Sequence, residues 1–120
     1  MGDFNCSKTS SVYQYLSGCR SLDGTEVTPY RTDLACVTNE VLGIKEEMTL
    51  DLLNNPRWKG KSITDISERV DLIFIHDCYP WLYPSLVDFK YFGKPIDKES
   101  VLCASDHYGV FAELQMPYEE

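Results

Sequence analysis

The sequence contains no apolar run approaching the ~20 residues that a membrane-spanning helix needs, so no such span is expected. Its N-terminus has no basic segment followed by an apolar one, and no signal peptide is read there. It also has no C-x-x-C pair. Cys6, Cys19, Cys36, Cys78 and Cys103 are scattered, which argues against a zinc site. An odd count leaves at least one thiol free. The set reads as scattered buried thiols, with one or two disulfides open to a secreted parent. Internal repeats and low-complexity stretches are lacking as well. Basic residues are in short supply: 11 Lys and Arg stand against 19 Asp and Glu, for a net charge of −8. A protein that holds nucleic acid by neutralising phosphates is basic on its binding face. The acidity therefore disfavours tight, metal-free binding of nucleic acid. It does not disfavour a divalent cation, which carboxylates must hold.

What remains is an ordinary globular composition, 43% hydrophobic and 25% charged, in a chain long enough for one modest domain. Gly2-Asp3-Phe4-Asn5 reads as a strand end entering a loop. Ser10–Leu16 predicts a short helix with Val12, Tyr15 and Leu16 on one face, capped by Thr9, Ser10 or Ser11 and ended by Gly18. Residues 20–65 are the least readable. Asp23-Gly24, Thr28-Pro29 and Lys59-Gly60-Lys61 are turn signals. Met48, Leu52 and Leu53 have helical spacing, which Asn54-Asn55-Pro56 would stop. Val70–Ile75 (VDLIFI) predicts a strand buried on both faces, with Asp71 an anomalous carboxylate at its mouth. Residues 78–100, with Pro80, Pro84 and Pro95, read as a long connection. Val110–Met116 reads as a final strand that Pro117 ends.

Three polar clusters each adjoin an apolar strand: Gly2-Asp3-Phe4-Asn5, Arg69-Val70-Asp71 and Ser105-Asp106-His107. Strand ends are where side chains converge on ligands in α/β proteins. Each cluster taken singly has a plain structural reading. Asp3 and Asn5 could cap a helix or form an Asx turn. Asp71 could pair with Arg69 or another cation. Asp106 and His107 could be a solvated turn.

In this order, GDFN at 2–5, ERVDLIFI at 68–75 and SDHYGVFAEL at 105–114 resemble the last three motifs of the endonuclease/exonuclease/phosphatase superfamily. That deoxyribonuclease-I-like group includes nucleases, abasic-site endonucleases, neutral sphingomyelinases and inositol polyphosphate phosphatases. The resemblance covers essentially the whole chain, but only about the second half of the family's domain. LLNNP at 52–56 also resembles a bacterial-type branch with unassigned substrates.

The resemblance implies an α/β fold. The chain would be the C-terminal half of a DNase-I-like four-layer α/β sandwich, residues 1–120 forming a partial domain of one mixed sheet with one or two helices. It also implies Mg²⁺-dependent (or Mn²⁺-dependent) hydrolysis of a phosphoester or phosphodiester by water attack in the complete domain. The substrate class stays open among nucleic acid, phospholipid head group and inositol phosphate. Asp3 would orient and help deprotonate the water, and Asn5 would hydrogen-bond the water or the phosphate. His107 would contact a phosphate oxygen. Asp71 would pair with His107, fix its tautomer and raise its pKa. Asp106 would lie at the metal or just outside its ligands.

The family's principal Mg²⁺-binding Glu belongs to the half expected to be missing. Glu26, Glu40, Glu46 and Glu47 do not stand in its context. The competing expectation is therefore a truncated chain or pseudoenzyme without activity, acting as a binding module. Such a chain would leave apolar sheet surface uncovered and would self-associate. Asn5-Cys6-Ser7 fits an N-glycosylation sequon and is read as a chance match. The aromatic stretch 78–86 (CYPWLYPSL) reads as packing over the sheet, with a substrate- or membrane-facing loop as the alternative.

Overall fold

The structure, a computed structural model, describes residues 1–19, 21, 24, 31–61, 66–76, 83–95, 99 and 102–117. Among these, no helix is long and apolar enough to cross a membrane. The chain mixes helices with small antiparallel sheets. Strand β1 (Gly2–Asp3) pairs with β3 (Asp71–Leu72), β2 (Arg31–Asp33) with β4 (Phe74–His76), and β5 (Ser85–Phe92) with β6 (Gly109–Gln115). Every described strand pairing is antiparallel. The single mixed sheet expected from the resemblance is thus replaced, among the described residues, by three two-stranded ones.

The apolar run at 70–75 explains part of that difference. It is interrupted at Ile73, whose carbonyl accepts the backbone N–H of Leu34 at 2.9 Å. A helix start uses the acceptor there, and the run changes strand partner from β1 to β2. Val70 and Leu72 are buried as expected, whereas Ile73, Phe74 and Ile75 are half-buried.

Helix α1 (Ser11–Leu16) forms as predicted. The Ser10 side chain accepts the Tyr13 N–H, and Gly18 leaves the helix at φ 79°. Its inward face differs from the reading: Tyr13 is buried and Val12 is 48% exposed. The Tyr13 ring packs near Phe74 and its hydroxyl donates to Asp33. A buried phenol with a partner outweighs a valine that has none there.

Helix α2 (Leu34–Leu42) was not read from the sequence. Asp33 caps it by accepting the Ala35 N–H, and Gly43 at φ 68° ends it. The predicted helical face around Met48 and Leu53 does not form. Both residues are exposed, and Leu50 bridges to Glu68 instead.

The reading of 78–100 as a connection is also overturned. β5 and β6 form the longest of the described strand pairings, with Pro84 and Pro95 outside the ends of β5. The residues 77–82, which include most of the aromatic stretch, lie outside the described residues. Of that stretch, Tyr83 is 51% exposed and Ser85 and Leu86 open β5. Strand β5 carries Phe89, which packs with Leu34 and Ala35 of α2 in the main core, beside Ile73, Ile75 and Leu114.

Described cysteines are free: Cys103 is buried, Cys6 and Cys36 are half-buried and Cys19 is exposed. The expected uniform burial is therefore only partial. Cys78 lies outside the described residues.

Candidate functional site

The β1–β3 pairing sets Asp3 directly opposite Asp71. Like charges opposed across two strands repel, so this pair is costly unless a cation compensates. His107, in the loop before β6, supplies one when protonated: its Nδ1 lies 2.8 Å from Asp71 Oδ2. Ligand atoms of Asp3, Asp71 and His107 all fall within 4.8 Å of one another. The dyad side chains are each about a quarter exposed, 25% for His107 and 23% for Asp71. Burial works against the charge on His107. The hydrogen bond and charge of Asp71, with the nearby charges of Asp3 and Asp106, outweigh it and raise the imidazole's pKa. With Nδ1 committed to Asp71, Nε2 is the nitrogen left to serve a ligand.

Buried backbone contacts hold these groups. Thr49 is fully buried. Its hydroxyl oxygen accepts the N–H of both Val70 and Asp71 at 3.1 Å, and its carbonyl accepts the Tyr108 N–H at 2.8 Å. One residue therefore ties the strand bearing Asp71 to the residue after His107. Phe4 N–H donates to Val70 O at 2.9 Å, which extends the β1 contact.

The other two expected site residues adjoin the cluster: Asn5 bonds Asp3 and Asp106 precedes His107. Asn5 is exposed with φ 52°, a left-handed conformation that Asn tolerates. Its backbone N–H donates to Asp3 Oδ1 at 2.8 Å, which is the Asx turn considered as the plain reading. Asp106 is exposed and its carboxylate is not among the three clustered groups. Its carbonyl accepts from Trp58. Asp3 and Asp71 help line one cavity of about 260 Å³, and Ser105 and His107 another of about 230 Å³. Phe92, Tyr108 and Gly109 line both. Neither of these two cavities is lined by Asn5 or Asp106.

Arg69 does not pair with Asp71. It binds Asp33 through two nitrogens, at 3.1 and 2.5 Å, and Glu46 at 2.7 Å. Burial alone would raise the Asp33 pKa, but hydrogen bonds from Arg69 and Tyr13 hold it below the ordinary carboxylate value. Asp33, Cys36 and Glu46 also come together. Arg69 and Lys8 already neutralise those two carboxylates, so their charge needs no metal. The larger cavity of about 410 Å³ adjoins this ion network, not the dyad. Glu47 pairs with Lys94, Glu40 is exposed on α2, and Glu26 lies outside the described residues.

Asp3, Asp71 and His107 offer two carboxylates and an imidazole that could hold a metal ion. Mg²⁺ takes oxygen ligands and is commonly held by one or two carboxylates, with water and substrate phosphate completing its shell. Asp3 and Asp71 are two such carboxylates within reach of one another. Comparison of the chain with protein-family models, curated proteins and solved structures finds no match.

Asn55, Arg57 and Trp58 were not singled out as functional residues from the sequence. Each touches the loop that carries His107. The asparagine before proline was legible only as a stop signal.

Proposed function

We propose that this chain carries part of the active site of a Mg²⁺-dependent phosphoesterase of the endonuclease/exonuclease/phosphatase type, whose complete domain hydrolyses a phosphoester or phosphodiester by water attack. The observation that carries the reading is the meeting of Asp3, Asp71 and His107 from three separate segments within 4.8 Å. Asp3 and Asp71 oppose each other across β1 and β3, with His107 bonded to Asp71. The same assembly is what phosphoryl chemistry requires: a base for water and a cation for the phosphate oxygens.

Asp3 orients the attacking water and draws off its proton. Its second oxygen stays fixed by the Asn5 N–H. His107, biased toward its charged form by Asp71, donates from Nε2 to a non-bridging phosphate oxygen as negative charge builds. Asp71 holds the ring in that orientation. Asp106 adds negative potential that favours the imidazolium. Asn5 offers its amide to the water or the phosphate. Asp3 and Asp71 would hold Mg²⁺, and the bound ion would polarise the phosphoryl group.

The test is hydrolysis of a generic phosphodiester, bis(4-nitrophenyl) phosphate, in Mg²⁺ by the longest natural chain containing this segment. Replacing His107 or Asp3 by Ala should lower turnover by ~10² or more with folding intact. Both variants staying within about threefold of wild type would reject the assignment, since loss of a proton carrier costs more. Metal-dependent binding of the ester without turnover would instead favour the binding-module reading.

A further inference from the structure

We propose that Asn55, Arg57 and Trp58 are positioning residues: together they clamp the Ser105–His107 loop so that His107 meets Asp71. Their importance to a reaction rests on the phosphoesterase reading, while the clamp itself rests on geometry. Four consecutive carbonyls of the loop each accept a hydrogen bond from a side chain of this one segment. Arg57 Nε donates to Cys103 O at 2.7 Å, and its Nη2 donates to Ala104 O at 3.3 Å. Asn55 Nδ2 donates to Ser105 O at 2.9 Å. Trp58 Nε1 donates to Asp106 O at 3.0 Å. The next backbone group is fixed locally, with His107 N–H donating to Ser105 Oγ at 3.1 Å.

This is more than a loop packed against a turn. Ala104, Ser105 and Asp106 are exposed, so water could satisfy their carbonyls. Ordering long side chains to do the same work costs up to about 2 kcal/mol of rotamer entropy each. The donors also sit on a turn that is held locally. Pro56 opens the 3₁₀ turn Pro56–Trp58, and the Asn55 oxygen caps it by accepting the Arg57 N–H at 3.0 Å. Asn55 is 2% exposed, with its oxygen held by the turn and its nitrogen by the loop. The residues thus present a row of donors that meets four successive carbonyls of the loop. The loop so held brings His107 Nδ1 to Asp71 across 36 residues of sequence. Slack of about 1 Å there would lengthen the contact beyond a hydrogen bond.

The imidazole nitrogens read out the clamp directly. Long-range proton–nitrogen correlation spectra at one fixed pH, assigned against His107→Gln, report whether His107 Nδ1 is held by Asp71. In Arg57→Lys and Trp58→Phe the His107 Nδ1 resonance should leave its wild-type position and move toward that of Asp71→Ala, which lacks the partner. Tyr13→Phe serves as control. It loses a buried hydrogen bond to Asp33 and should lower the melting temperature without moving His107. Clamp variants that melt lower while the His107 nitrogens keep their wild-type positions would reduce these residues to ordinary packing and overturn the proposal. Should one variant not fold, the other decides. The same change in a chain that never hydrolyses a phosphoester would leave the clamp standing and sink only the phosphoesterase reading.

Discussion

His107 Nδ1 lies 2.8 Å from Asp71 Oδ2, and Asp71 in turn stands opposite Asp3 in the β1–β3 pair. The histidine therefore sits beside two carboxylates that would otherwise repel across the strands. In its protonated form the imidazole is both a structural counter-charge and well placed to meet an anion.

The sign of its pH effect follows. The folded pKa of His107 is raised, and the unfolded value is about 6.5. Its contribution to stability is fully present below the unfolded value and is lost as pH rises through the folded one. Urea denaturation of wild type and His107→Gln should differ most near pH 5–6, and the gap should close by about pH 9. A gap that widens with rising pH would mean that His107 is held neutral.

Asp3→Asn should stabilise the chain at neutral pH by about 0.2–1 kcal/mol, because it removes a like charge opposite Asp71. Asn keeps the oxygen that accepts the Asn5 N–H, so the Asx turn survives. In a complete active domain the same change should lower turnover by ~10². Greater stability with lost activity marks a residue kept for chemistry. Thermal melts and the phosphodiester assay, run on the same variant, decide it.

Some of this was legible in the sequence and some was not. The polar clusters beside apolar strands drew attention to 2–5, 69–71 and 105–107, and the family resemblance singled out Asp3, Asn5, Asp71, Asp106 and His107 within them. Helix α1 was legible from its cap serine and Gly18. Helix α2 had the same punctuation, Asp33 before and Gly43 after. It was missed because Thr38 and Asn39 weaken its local propensity while tertiary burial of Leu34 and Ala35 supplies its stability. β5 was hidden by flanking prolines and by the shift in register between Leu86 and Asp88, which breaks strict alternation. The partners of Arg69 could not be read at all, since Asp33 and Glu46 reach it from distant segments.

Arg69→Met tests that ion network. Asp33 is buried, 3% exposed at its side chain, and Arg69 is its bidentate partner. Removing the cation leaves an uncompensated buried charge, a loss of about 3–5 kcal/mol. Asp33 also has a depressed pKa. Its contribution is present above the unfolded carboxylate value near 3.9 and is lost as pH falls through the folded one. Wild type should therefore hold its stability below about pH 4 longer than a chain relying on unpaired carboxylates. A urea midpoint for Arg69→Met close to wild type would show that Lys8 alone balances the site.

The last prediction concerns the 120-residue chain by itself. Two-stranded sheets are marginal in water, and three or more strands with a covered face are needed for independent stability. Here the described sheets are all two-stranded, and Val87, Phe92 and Phe111 of β5 and β6 remain exposed. The radius of gyration, 16.6 Å, exceeds the roughly 14 Å of a compact domain of this length. Apolar surface left open in this way drives association, so sizing chromatography should return oligomers or soluble aggregates. The same purified chain should show no measurable phosphodiester hydrolysis in Mg²⁺. Asp3 and Asp71 are the clustered carboxylates, and metal-centred stabilisation worth several kcal/mol is lost where the ion is weakly held. A monomeric chain with turnover abolished by EDTA and by His107→Ala would mean that the site is complete within these residues.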